Sequence, residues 1–162
     1  MSDVGLRAAR SFGSTLRAFR DLAEAERGLY AERDELVRKL TELSGGSAAF
    51  RPDFSPDSLK DLEHWYFGLV EGGGLHSIHT DDETFERAMA MYLGEVLVRH
   101  APPFGWFVTE FAFEHGRYEI GVRRPLYQVM LSRLAPAPRE RNRSERSIWR
   151  AYQKHRGLVE TR

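Results

Sequence analysis

The sequence predicts an α+β fold: a small antiparallel sheet packed by helices, with a long N-terminal helix and a C-terminal basic helix. Three observations predict it. Residues 6–43 hold no proline and are rich in Ala, Leu, Glu and Arg, which favour helix. Phe85, Met89, Tyr92, Leu93, Val96 and Leu97 recur at the spacing of one helix face. Directly after them Phe104, Trp106, Phe107, Val108, Phe111 and Phe113 crowd into a block bounded by Pro and Gly, as strands require.

The elements follow in order. Within residues 6–43, Leu22, Leu29, Leu36 and Leu43 recur every seven residues, the d register of a zipper. The matching a register carries Phe12, Phe19, Glu26, Arg33 and Leu40, so charge sits at its centre. The stripe reads either as a seam for a second copy or a docking partner, or as a long helix packing on its own domain. Ser44-Gly45-Gly46-Ser47 ends that helix. Pro52 and Pro56 keep residues 50–56 extended. Ser55 as N-cap and Pro56 at the first helical position start a helix over 56–70, which Gly72-Gly73-Gly74 stops. A loop through His76 and His79 follows, and Thr80 with Glu83 forms a capping box for the next helix. Ala101-Pro102-Pro103 closes that helix. Strands are expected at 105–110, 111–115 and 117–122, with a tight turn at His115-Gly116-Arg117. Pro125 opens a short helix over 126–134, Ala135-Pro136-Ala137-Pro138 is a stiff linker, and a last helix covers 144–156.

A length of 162 residues suits one compact domain with helical extension. The organisation reads as an N-terminal helical arm (1–44), an α+β core (45–134), and a linker with a basic C-terminal helix (135–162). Cysteine is absent, which removes disulfides, thiolate metal sites and cysteine nucleophiles. No apolar stretch follows Met1-Ser2-Asp3, and nothing approaches the run of about 20 apolar residues that spans a bilayer. The expectation is a cytoplasmic protein with no transmembrane segment. Arg far outnumbers Lys, whose only positions are Lys39, Lys60 and Lys154, a flavour of G- and C-rich bacterial genomes.

Net charge is zero but unevenly spread. Residues 1–70 carry 10 basic and 12 acidic side chains, 71–132 carry 5 and 9, and 133–162 carry 9 and 3. Arg143, Arg146, Arg150 and Lys154 fall along adjoining positions of the last helix, beside Trp149 and Tyr152. They could neutralise phosphates while the aromatics stack, or bind an acidic protein, or remain a solvated face while the aromatics dock on the domain.

Other chemistry is thin. His76-x-x-His79 with Asp81, Asp82 and Glu83 has ligand types suited to zinc, but the acids already suit a helix N-terminus. No metal site and no cofactor are expected. Gly72-Gly73-Gly74 lacks the Lys-Ser/Thr of a phosphate loop. Glu110 and Glu114 turn outward from the aromatic block, no serine sits in a nucleophile elbow, and no catalytic residue is assigned. Gly94 lies mid-helix, where glycine costs about 1 kcal/mol, so close approach by the Trp106 strand is expected. Glu95 beside it is placed to hold Arg99 or an arginine of the sheet.

Tyr92-Leu93-Gly94-Glu95, a Pro/Gly break and then Trp106 resemble small bacterial α+β domains of the DUF3806 type, over about 40 residues. The resemblance implies an α+β fold, no assigned enzyme activity, and an accessory or binding role. The functional expectation is a non-enzymatic bacterial protein-interaction module, an adaptor or immunity-type inhibitor. It would bind a protein partner through Leu22, Leu29, Leu36, Leu43 and the basic helix, with a homodimer through the arm. The alternative is nucleic-acid or anionic-surface binding by the basic helix.

Overall fold

A computed structural model describes residues 3–134 and 147–157. Among these residues five α-helices and one three-stranded antiparallel sheet form the α+β fold expected from sequence. The helices are α1 (Asp3–Thr15), α2 (Leu22–Ser44), α3 (Ser58–Glu71), α4 (Asp82–His100) and α5 (Ser147–Gly157). The strands β1 (Gly105–Glu110), β2 (Tyr118–Arg124) and β3 (Tyr127–Met130) pair in the order β1-β2-β3. No helix among the described residues is long and apolar enough to cross a membrane.

The first correction concerns the N-terminal helix, which breaks between Thr15 and Leu22. Backbone groups there are claimed by the loop joining β1 to β2. Phe19 N–H donates to Gly116 C=O at 2.9 Å, and Tyr118 N–H to Arg17 C=O at 3.3 Å. Arg117 adds a guanidinium bond to Leu16 C=O at 2.6 Å. Asp21 then restarts the helix: its carboxylate accepts from Glu24 N–H at 2.8 Å, while Glu24 reaches back to Arg20 N–H at 2.7 Å. Asp21 is thus the N-cap, and Glu24 secures the residue just before it.

Two other helix starts shift slightly. Asp81, not Thr80, caps α4 by accepting from Thr84 N–H at 2.8 Å. Helix α3 begins at Ser58, after a turn in which Ser55 Oγ accepts from Ser58 N–H at 3.2 Å.

The sheet departs further from expectation. Residues 111–115 are turns rather than a strand: Phe111 N–H donates to Arg117 C=O and Glu114 N–H to Phe111 C=O. The expected helix over 126–134 is instead β3 followed by a 3₁₀ turn, Leu131–Arg133. Its apolar positions Val129 and Leu131 are two apart and fit a strand entering the core. Gly121 faces Val129 C=O so closely that a Cβ would collide with it, which lets β3 pair with β2.

Helix α4 is the hub. Its stretch from Phe85 to Leu97 is almost wholly buried, and it packs on α2, α5 and both β1 and β2. Phe50 stacks on Trp65 with centroids 5.6 Å apart, and both Phe50 and Phe54 pack against Tyr92. The Tyr92 hydroxyl accepts from Phe54 N–H at 2.9 Å and bonds Ser58 Oγ at 2.7 Å, so the buried polar tip is satisfied.

The leucine stripe of α2 turns inward. Leu29 and Leu36 are 6% and 8% exposed within this chain's own core. They are therefore covered by their own fold and leave no continuous seam for a second copy. Leu22 is 46% exposed at the start of α2, and Leu43 is partly buried against the core.

Candidate functional site

The hairpin between β2 and β3 closes on two residues, Pro125 and Leu126, because Arg124 pairs with Tyr127. Proline suits the first position of such a turn, since its ring fixes φ near the required value. The second position adopts φ 63°, a left-handed conformation normally given to Gly or Asn, and here it holds Leu126. A leucine there costs about 1–2 kcal/mol. Leu126 is also 98% exposed, so its own fold gains nothing from the side chain.

An open groove of about 710 Å³ runs beside this turn, lined by Pro103, Trp106, Arg123, Arg124, Leu126 and Tyr127, among others. Among the described residues its lining includes two arginines and no acidic side chain. The Arg124 guanidinium lies 5.6 Å from the Phe104 ring centre and 5.4 Å from that of Tyr127. Arg123 rests 5.0 Å from the Phe107 ring centre and is exposed. Stacking holds both cations in place with little freedom to lose on binding.

The groove's walls are braced from two directions. Gly94 leaves room for the Trp106 indole, which a Cβ would strike. Glu95 accepts from Trp106 Nε1–H at 2.9 Å and from Arg99 Nε–H at 3.2 Å. On the other wall the Tyr127 hydroxyl lies 2.5 Å from His155 Nδ1 of α5. Burial pushes the His155 imidazole down to about 4, with Lys154 adding to the shift, so the ring that makes this bond is neutral at pH 7. Burial also raises the Tyr127 phenol, against the opposing pull of Arg124.

Helix α5 is fixed at its start as well. The buried Glu63 carboxylate of α3 accepts from Ile148 N–H at 2.5 Å, Ser147 Oγ at 3.3 Å and Trp149 N–H at 3.4 Å. A negative charge at a helix N-terminus is favoured by the dipole. Trp149 stacks on the buried Tyr152 at 5.6 Å and carries Lys60 4.2 Å from its ring centre. Arg150 and Lys154 are exposed. Arg143 and Arg146 lie outside the described residues.

The other residues raised by the sequence do not converge. Asp81 is occupied at the α4 cap, and no group of three His, Asp or Glu with metal-binding geometry occurs among the described residues. Glu110 accepts from Gly116 N–H at 2.7 Å, and Glu114 pairs with Arg117 at 3.4 Å.

Sequence reasoning passed over Leu126 because Pro125 was read as a helix start. The signal was present: Ile120 and Val122 alternate before the Pro-Leu pair, and Val129 and Leu131 alternate after it.

With the geometry in hand, the relatives can be placed. The chain is 25% identical over 115 residues to the uncharacterised protein YwmA of Bacillus subtilis (strain 168), covering 71% of this chain and 73% of that one. No solved structure matches. The family described as "Uncharacterised protein YwmA" matches residues 18–156, which leaves α1 ahead of the matched region. This match overturns the resemblance to DUF3806-type domains, which rested on the short Tyr92–Glu95 and Trp106 pattern alone. The chain therefore belongs to the YwmA family.

Proposed function

We propose that the chain is a non-enzymatic protein-interaction module of the adaptor or inhibitor kind, which docks its partner on the β2–β3 turn. One observation carries this reading: Leu126 is 98% exposed in a left-handed conformation on a stiff turn beside Arg123 and Arg124. Such a side chain is a strained, unburied apolar anchor, worth about 2 kcal/mol when a partner covers it. The described lining of the groove, two arginines and no carboxylate, favours a partner that offers an apolar socket rimmed by carboxylates. Charge complementarity would speed encounter, and the pre-formed turn limits the entropy lost on docking.

The test isolates the partner from native extract with nuclease present, then measures its purified binding to variants. Leu126→Asp and Arg123→Glu should each weaken it at least about tenfold, a difference of about 1.4 kcal/mol. Equal binding by wild type and both variants would remove the turn as the docking face.

A second reading has its own support. Arg150, Lys154 and Arg156 are exposed on α5, while Tyr152 is buried beneath them. This suits a nucleic acid or anionic surface. Binding to single-stranded DNA, RNA or acidic vesicles that falls steeply with salt, and survives Leu126→Asp, would favour it.

A further inference from the structure

A second cavity, between α1, α2 and α4, shares no lining residue with the groove, and none of the chemistry above uses it. It measures about 420 Å³, in the size range of small-molecule sites. Its floor is aliphatic: Leu29 and Leu36 of α2, Met91 of α4, Ile120 of β2, and Leu131, with Phe12 of α1 as one wall.

The mouth is charged in an uneven way. Glu32 is shared by two guanidiniums: Arg17 at 3.3 Å through Oε2, and Arg87 through Oε1. Both arginines keep more than a third of their side-chain surface in solvent, while Glu32 keeps 21%. Burial lowers the Arg87 guanidinium first, and the neighbouring Arg17 charge adds to the shift. The other charged groups of the lining have separate roles. Glu86 accepts from the Tyr66 hydroxyl at 2.7 Å, and Arg33 pairs with Asp34 at 2.8 Å. Glu83 is exposed in the first turn of α4, where negative charge offsets the helix dipole.

The wall formed by α1 is thinly attached. Among the residues of that helix whose burial is described, Gly13 alone is buried, against Phe111 and Glu114. Phe12 meets Phe111 edge-on at 5.6 Å, and the Arg133 guanidinium lies 5.9 and 5.8 Å from the two ring centres. Val4 is exposed. Helix α1 also precedes the region shared with the family. A wall held only near its C-terminal end, by Phe12 on Phe111 and by Gly13 against Phe111 and Glu114, can swing aside more readily than helices packed along their length.

We propose that this cavity binds a small amphipathic anion, an aliphatic body with a carboxylate or similar head, and that α1 is its movable wall. The body fills the Leu29–Leu36–Met91 floor. The head takes one of the two arginines from Glu32, so that each guanidinium gains a carboxylate of its own. An aliphatic amine of equal length has no carboxylate with which to take Arg17 or Arg87 from Glu32, and so gains less at this mouth.

The experiment uses the full chain with decanoate, decylamine and decanol as probes, read by calorimetry and native mass spectrometry. Decanoate should bind one-to-one and at least about tenfold tighter than decylamine or decanol. Arg17→Gln, at a half-exposed position, should remove most of that preference while leaving the far-ultraviolet spectrum unchanged. Phe12→Ala should speed both entry and exit. Equal binding of the three probes would overturn the proposal, as would no decanoate binding at millimolar concentration or binding indifferent to Arg17→Gln. None of these outcomes bears on the Leu126 surface, whose variants test it separately.

Discussion

Glu95 Oε1 accepts the indole N–H of Trp106 at 2.9 Å, directly beside the glycine whose missing side chain lets that indole in. A helix and the first strand are thereby locked by one absence and one hydrogen bond. The same contact sets the angle at which Trp106 enters the groove.

Gly94→Ala should thus destabilise the fold by about 2–3 kcal/mol, since the new methyl meets both Trp106 and Leu131. The usual helical benefit of alanine, about 1 kcal/mol, would be overwhelmed. Urea unfolding measures the difference. A variant as stable as wild type would mean that the indole can move at no cost.

Trp106→Phe keeps an aromatic ring but deletes the donor and the part of the indole that fills the space at Gly94. Glu95 retains Arg99, so the expected loss, mostly of packing, is about 2–3 kcal/mol. Chemical denaturation at neutral pH gives the value directly.

His155 makes stability depend on pH. The folded imidazole titrates at about 4 against an ordinary 6.5, so between those values the unfolded chain takes up a proton that the folded chain refuses. Its contribution is whole above pH 6.5 and declines as pH falls toward 4, by about 2 kcal/mol at pH 5. His155→Phe should flatten this part of the profile. An unchanged slope between pH 7 and 5 in that variant would refute the assignment.

Glu63→Ala leaves the first N–H groups of α5 without their acceptor in a buried place. The loss should reach about 2–3 kcal/mol and be local. Hydrogen exchange at α5 amides ought to accelerate far more than at α4 amides, whereas uniform acceleration would show global unfolding instead.

Leu126→Asn reverses the usual direction. Asparagine tolerates the left-handed conformation, so the variant should be about 0.5–1 kcal/mol more stable than wild type. It should also lose partner binding. A gain in stability with binding retained would separate the strain from the docking role.

The fold was legible where one helix or strand carries its own pattern. The α4 stripe from Phe85 to Leu97 and the aromatic strand at Trp106–Val108 both follow from side-chain period alone. What escaped depends on distant partners. The break before Leu22 is made by Gly116 and Arg117, about a hundred residues away, which outcompete helical bonding at Leu16–Phe19. Asp21, an N-cap type of residue just before Leu22, is the local signal for it. At Leu126–Leu134 the sequence was ambiguous: proline can start a helix or a turn, and a run of apolar residues fits either period. The groove was invisible for a related reason. Exposure and φ at Leu126 become visible only once β2 and β3 are paired.

The attachment of α5 has a temporal side. Its first turn is held by a carboxylate 85 positions earlier in the chain, and its buried histidine meets a tyrosine 28 positions back. During synthesis both anchors exist, and can already be packed on α4, before the first residue of α5 leaves the ribosome. The helix therefore leaves the ribosome after both of its anchors, so its attachment needs no residue still to be made.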